Sequence, residues 1–345
     1  MTLNATVRDQ DPRDIPLATV FARYFDKHGR HTIGAGVQRR NLAMILDHAP
    51  EMMVGEFTMD VQQEVTRKLL AAGYQNGTVK RVMGAGKAAI GWAWRNGLIK
   101  APVPFLSLPE GTVRERVLTI TEMAQLWDAA AQPHLRAFLA FLIGTASRPA
   151  AVLELTRDQC DVARRRIDLN PAGRRQTKKR RPVVAMPDFL IPWIEAVPAG
   201  SLIAYRDQAI TKINASWRIA RDIAGLGPEV VPTTIRHTIA TELRARSVPE
   251  LEIAGLLGHV MPNVRTTGRY AKYAPDYLSK AREAIDQIAN EIGRVAAHPI
   301  SPETSVRVSC VLVPKPQGSG TPWKTGAGEG IRTLDPNLGK VVLYP

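Results

Sequence analysis

Residues 165–186 read RRIDLNPAGRRQTKKRRPVVAM and interrupt a chain otherwise patterned for helices. The run RIDL is followed by NPAG, then by a basic stretch that ends in the β-branched pair Val183–Val184. This composition predicts short strands around turns, with Pro171 to Gly173 forming a tight one. Residues 164–181 hold nine Arg or Lys against one acid, Asp168. One reading is a solvated basic hairpin that holds phosphates without sequence preference. The other makes Lys178 or Lys179, at the hairpin turn, a proton donor into a DNA groove. The basic density does not choose between the two lysines. Arg174, Arg175, Arg180 and Arg181 complete the basic surface.

On both sides of this segment the apolar residues recur at three- and four-residue spacing, which predicts helices. Residues 16–103 carry the pattern in LATVFARYFDKHG and GTVKRVMGAGKAAIGWAWRNGLI, with Lys80, Arg81, Lys87 and Arg95 set between the apolar positions. Residues 104–116, PFLSLPEGTVRER, have two prolines, a glycine and mixed charge, and read as a linker. A second helical region opens at TITEMAQLWDAA, where Thr121 is expected to cap and Glu122 to sit in the first turn. After Pro187 helices resume through WIEAV, INASWRIARDIA and TTIRHTIATELRARS. The last one, PDYLSKAREAIDQIANEIGRVA, has an apolar stripe that suits either a neighbouring protomer or its own core. From 297 the composition turns to Ser, Pro, Gly and Thr, and a disordered tail is expected. The fold class is therefore mainly α with a small antiparallel β-sheet.

Length and charge narrow the function. The 345 residues suit about two domains. A hydrophobic fraction of 45% excludes a wholly disordered basic tail protein. No run approaches the roughly 18–20 apolar residues of a membrane span. The opening MTLNATVRDQDPRD has no apolar stretch of a secretory signal. The two cysteines, Cys160 and Cys310, suit neither a disulfide framework nor a zinc site, and a reducing cytoplasm fits. A net charge of +14 favours an anionic partner, nucleic acid first.

Four islands carry chemistry. In LIGTASRPAAVLEL an apolar helix is expected to end at Gly144, and Arg148 follows. Such an arginine is either a structural ion-pair partner or a planar anion clamp. The basic hairpin is the second island. In the third, Arg236 of TTIRHTIATEL precedes His259 of EIAGLLGH by 23 positions. A histidine there is a helix cap or, beside two guanidinium forks, a donor to a pentavalent phosphate. The fourth is TTGRYAKYAPDYL, where Tyr270 is an amphipathic surface residue or a nucleophile that needs a cation-neutralised phosphate.

In this order and spacing the islands resemble the tyrosine recombinases, the phage integrase family. The family's first arginine falls on Arg148 and its hairpin lysine on Lys178 or Lys179. Its H-x-x-R segment falls on Thr233–Arg236, its L-G-H on Leu257-Gly258-His259, and its T-T-x-x-Y on Thr266 to Tyr270. The resemblance spans about 113–290. It implies a SAM-like helical core-binding domain at 16–103, after an extension at 1–15. It implies a linker at 104–116, an α+β catalytic domain at 117–296 and a tail at 297–345. Two positions depart from the pattern. Thr233 stands where the family has a histidine and cannot take up a proton near neutral pH; His237 points elsewhere on the helix. Ala151 stands where the family often has Glu, so Arg148 needs support from elsewhere. Two more residues separate His259 from Tyr270 than in compact members, and the T-T-x-x-Y match favours Tyr270 over Tyr273.

The resemblance implies a reaction with no metal and no cofactor. Tyr270 attacks a DNA phosphate, leaving a 3′-phosphotyrosine and a 5′-hydroxyl. Arg148, Arg236 and His259 stabilise the non-bridging oxygens, and the hairpin lysine protonates the leaving oxygen. It further implies double-stranded DNA attachment sites, a homotetramer on DNA, room for accessory DNA-bending or directionality factors, and a cytoplasmic, nucleoid-associated protein of a prophage or mobile element. Two alternatives share these residues: a relative that binds its site without cutting, and a type IB topoisomerase-like enzyme. Finally, residues 326–345, GAGEGIRTLDPNLGKVVLYP, can be encoded by DNA whose complement resembles a glycine tRNA gene. Gly330 to Thr333 would give the T-arm, Leu338 to Val341 the anticodon arm, and Val342 to Pro345 the end of the D-arm. Integration into a glycine tRNA gene is the expectation.

Overall fold

The computed structural model describes residues 15–32, 34–111, 116–177, 179–206, 208–259 and 275–302. The expected N-terminal extension, apart from Ile15, lies outside them, as do residues 303–345 of the expected tail. The described chain is mostly helical, with two small antiparallel sheets.

The N-terminal core is built by α1 (Leu17–Lys27), α2 (Ala35–Leu46), α3 (Met59–Ala71) and α4 (Asn76–Arg95). Leu17, Val20, Phe21 and Tyr24 follow the helical repeat and are all buried, so α1 presents one apolar stripe inward. Gly86 lets α4 approach α2: a Cβ there would stand 2.7 Å from Ile45 Cδ1. Ile15 is itself buried, and its carbonyl accepts the Val54 N–H at 2.9 Å. It therefore belongs to this core and not to an extension.

Residues 104–111, expected as a linker, form a strap laid on α3 and α4. Gln62 is fully buried and fastens it. The Gln62 amide donates to the carbonyls of Phe57 (2.9 Å) and Pro104 (2.8 Å) and accepts the Leu106 N–H at 2.9 Å. At the far end Gly111 abuts Gly77 so closely that a Cβ on Gly111 would lie 2.9 Å from Gly77 Cα. Composition read these residues as loop because it cannot register a single buried amide that satisfies three backbone groups. Residues 112–115 lie outside the described residues.

The second core begins with α5 (Ile120–Ala129), α6 (Pro133–Thr145) and α7 (Pro149–Leu153). Thr119 caps α5, not Thr121. Its hydroxyl accepts the Glu122 N–H at 3.2 Å, and the Glu122 carboxylate accepts the Thr119 N–H at 2.9 Å. This is the reciprocal Thr-x-x-Glu box. Then come β1 (Cys160–Asp161), β2 (Arg166–Asp168) and β3 (Val183–Ala185), paired in the order β1-β2-β3, with Ile167 opposite Cys160 on one side and Val184 on the other. The basic stretch is the β2–β3 connection. Gly173 there has φ +77°, and the Arg174 N–H donates to Pro171 at 3.1 Å, closing the expected turn. Next are α8 (Ile191–Glu195), the two-residue strands β4 (Ala204–Tyr205) and β5 (Gln208–Ala209), α9 (Asn214–Ile223), α10 (Pro232–Ala245), α11 (Glu250–Leu257) and α12 (Ser279–Val295).

The stripe of α12 packs in cis. Ala281, Ala284, Ile285, Ile288, Ala289 and Ile292 are buried, against α5, α6, α10 and α11. Beyond it, Asp128 accepts the backbone N–H groups of Ala297 (2.8 Å) and His298 (2.9 Å) and pairs with the His298 ring at 3.0 Å. The first two residues assigned to the tail are thus fastened to α5. Cys160 is buried, which pushes its thiol up to about 12, out of range for a nucleophile. Among the described residues no helix is long and apolar enough to cross a membrane.

Replacing Gln62 by Met keeps the volume and leaves three backbone groups without their partner. The expected loss is about 1–3 kcal/mol of stability, read as a lower urea midpoint. An unchanged midpoint would mean the strap is held elsewhere.

Candidate active site

α6 is buried on nearly every side, and it delivers the first site residue. The helix runs to Thr145, one residue past the glycine expected to end it. A side chain at Gly144 would collide with Leu190, so this glycine serves close packing. The left-handed residue that turns the chain is Ala146, with φ +46°. A non-glycine residue in this conformation costs about 1–2 kcal/mol. The turn leaves the Ala146 carbonyl as an acceptor for Arg236 and places Arg148 at the start of α7.

Arg236 lies in α10 with 8% of its surface exposed. Its guanidinium donates to the carbonyls of Ala146 (2.9 Å) and Leu257 (2.8 Å). It thereby ties the end of α6 to the end of α11. Both acceptors are neutral, so two of its five N–H groups are satisfied without cancelling the charge. Burial, then the charge of Arg148, pull its pKa down to about 10. Arg148 donates to the Arg180 carbonyl at 2.9 Å, and burial and Arg181 lower its proton affinity too.

His259 follows Gly258, which ends α11 with φ +67°. The His259 N–H donates to the Ala254 carbonyl at 2.9 Å, as in a helix C-terminal cap. Desolvation, then the charges of Arg236 and Arg148, push its imidazole below the ordinary value, with Glu250 opposing. Arg148, Arg236 and His259, read separately from the sequence, therefore feel one another. Arg148 disfavours the charged form of Arg236, and both arginines disfavour the protonated imidazole, so an anion set among them would relieve the repulsion.

Thr233 is half-buried in the first turn of α10, three residues before Arg236 and so on the same face. His237 is exposed and lies off that face. Tyr270, with Thr266, Thr267, Gly268 and Arg269, lies outside the described residues; so do Tyr273 and Lys178. Lys179 is exposed, and its N–H donates to the Thr177 hydroxyl at 3.2 Å.

The hairpin arginines divide into two groups. Arg175 and Arg180 are exposed. Arg174 folds back on the Asn170 side chain at 2.8 Å. Arg181, expected on the DNA-facing surface, is 10% exposed and pairs with Glu154 at 2.7 Å. Sequence reading passed over Glu154 because it stands three residues beyond Ala151, the position where an acid was sought. On α4, Lys80, Lys87 and Arg95 recur at seven and eight residues and fall along one face. Gly77, Gly84 and Gly91 share it at heptad spacing, and the space above Gly84 is open. The cleft between α4 and the strap is lined by Lys80, Met83, Gly84 and Lys87, while Lys80 pairs with Glu110 at 2.5 Å. Arg81 and Arg95 are exposed.

Residues 116–276 match the model of the phage integrase family. A tyrosine recombinase XerA of Thermococcus kodakarensis is 28% identical over 208 residues, 56% of this chain and 69% of that protein. The fold is similar to a lambda integrase dimer bound to a COC′ core site, with TM-score 0.61 at 15% identity over 75% of this chain and 78% of that one. It is also similar to a lambda integrase tetramer bound to a Holliday junction, with TM-score 0.58 at 15% identity over 76% and 82%. Residues 116–276 thus carry a phage integrase family domain, and these comparisons support the tyrosine recombinases as the family it resembles.

An anion at this site should raise the proton affinity of His259, because it screens Arg148 and Arg236. In the free protein the His259 imidazole is expected to titrate below about 6.5, and to shift upward when inorganic sulfate is added. Stability should follow the same sign. The unfolded chain binds the proton more readily, so folding weakens as pH falls through the ordinary histidine range. Histidine NMR titration checks both, and a His259 curve insensitive to sulfate would show that the cations are not converging on one anion.

Proposed function

We propose that this chain is a site-specific DNA recombinase that cuts and rejoins DNA through a 3′-phosphotyrosine, with Tyr270 as nucleophile. The observation that carries the reading is the gathering of Arg148, Arg236 and His259 into one cationic pocket with neutral hydrogen-bond acceptors. Their joint charge suits a phosphodiester whose negative charge grows in the pentavalent state. Arg148 and Arg236 offer planar forks to the non-bridging oxygens, and His259 donates to a third position. Lys178 or Lys179 protonates the leaving 5′-oxygen. None of these steps calls on a metal. The bond energy is kept in the phosphotyrosine, so a 5′-hydroxyl of a partner strand reverses the step and completes the exchange.

The DNA-facing surface comprises Arg175 and Arg180 on the hairpin and Lys80, Arg81, Lys87 and Arg95 on α4. The family match of residues 116–276 and the likeness to DNA-bound assemblies of lambda integrase support double-stranded attachment sites as substrate and a homotetramer as the working form. Accessory bending or directionality factors and a nucleoid location belong to the same reading, as does the division into a core-binding and a catalytic domain. Thr233 favours a second reading, a relative that occupies its site without cutting, because a hydroxyl cannot serve as a base near neutral pH.

A duplex nicked beside the scissile phosphate, so that cleavage cannot reverse, decides between them. The wild-type chain should form a covalent adduct. Tyr270→Phe should form none while binding within a few-fold of wild type, since one hydroxyl adds little to a phosphate-dominated interface. Arg236→Lys should lose about 3–4 kcal/mol of transition-state stabilisation, as when an oxyanion donor is removed. No adduct from the wild type would establish the binder. An adduct from Tyr270→Phe would move the nucleophile to Tyr273.

We further propose integration at a glycine tRNA gene, on the codon reading of residues 326–345. The codons of residues 326–345, reverse-complemented, should fold as a tRNA segment. If they do not, the insertion site is elsewhere.

A further inference from the structure

The hairpin's return, residues 180–182, touches both Arg148 and Gly258. Arg148 is received by the Arg180 carbonyl at 2.9 Å. The same carbonyl lies against Gly258: a Cβ there would stand 3.0 Å from Arg180 O and 2.9 Å from Pro182 Cδ. One peptide group thus sets both Arg148 and the turn that leads into His259. The next residue, Arg181, is 10% exposed and pairs with Glu154 at 2.7 Å. The Gln176 side chain braces its backbone, accepting the Arg181 N–H at 3.1 Å and donating to the Arg181 carbonyl at 2.7 Å.

Glu154 follows α7 directly, and Ala151 lies three residues earlier on the same face. Ala151 is 2% exposed and packed in the core, so the position itself holds no acid. Arg148 and Arg181 are close enough for the charge of one to lower the proton affinity of the other, and Glu154 is held below its ordinary value by Arg181. Glu154 is the carboxylate paired with Arg181, the cation whose charge Arg148 feels.

We propose that Glu154 is a positioning residue for the anion pocket: it anchors Arg181 and so fixes the Arg180 carbonyl that orients Arg148. The carboxylate missing at Ala151 is supplied one turn later and acts through the hairpin. This rests on the reading of the pocket as the cutting site.

The experiment uses the full chain with the nicked duplex, in single turnover at saturating protein. Glu154→Gln should slow adduct formation roughly tenfold or more, since displacing a catalytic group by an ångström costs up to about 10²-fold. Half-saturation and the urea midpoint should stay near wild type, because the carboxylate is half in solvent. Glu154→Gln combined with Arg181→Met should be no slower than Arg181→Met alone, as expected of residues in one chain of contacts. The Arg148 side-chain Nε–H resonance should shift in Glu154→Gln without DNA. A wild-type rate in Glu154→Gln, additive losses in the pair, or rate and binding falling together would overturn the proposal. A wild type that forms no adduct would sink the cutting reading instead, and the Arg148 resonance would still decide the positioning role: no shift means Glu154 does not act on Arg148.

Discussion

Arg236 is buried with its charge intact, and the geometry of the second core depends on satisfying it. Its two carbonyl partners come from places distant in sequence, Ala146 after α6 and Leu257 at the end of α11. Both carbonyls belong to helix C-termini, where backbone acceptors lack intrahelical partners and the helix dipole is negative. The guanidinium therefore closes two helix ends at once. Those ends also carry Ser147–Arg148 and Gly258–His259. A single buried cation thus sets how far apart Arg148 and His259 stand, and two turns with positive φ, at Ala146 and Gly258, aim the carbonyls at it.

Much of this was legible in the sequence where the signal was periodic or chemical. The α1 stripe, the β2–β3 turn at Pro171–Gly173 and the order of Arg148, Arg236 and His259 could be read because each rests on a short local pattern. What could not be read was long-range. Thr121 looked like a cap, whereas Thr119, three residues before Glu122, forms the box; this one signal was local and stood in the sequence. Gly144 looked like a helix end because glycine commonly is one; its role is to admit Leu190, which is far away in sequence. Residues 104–111 looked like a linker because the buried amide that fastens them, Gln62, lies more than 40 residues upstream. Glu154 was invisible as a partner for Arg181 because an ion pair across 27 positions leaves no spacing rule.

The basic hairpin illustrates why charge density alone misleads. Nine cations in eighteen residues suggest a solvated, featureless surface. In the fold the side chains divide the labour. Asn170 with Arg174, and Gln176 with Arg181, close the loop internally, while Arg175, Lys179 and Arg180 face solvent. The loop is braced by its own polar residues, which gives its turn a defined place relative to the pocket without an apolar core beneath it.

The fastening of Ala297 and His298 to Asp128 bears on how the second core is closed. The Asp128 carboxylate is partly desolvated, yet the two backbone N–H groups and the His298 ring hold it below its ordinary value. A truncation that keeps His298 retains every hydrogen bond of this clasp. One that ends two residues sooner would return a half-buried carboxylate to search for partners beside the end of α12, the helix whose apolar stripe closes the second core. The point past which trimming would undo the end of α12 is therefore set by a side chain of α5, some 170 positions before it.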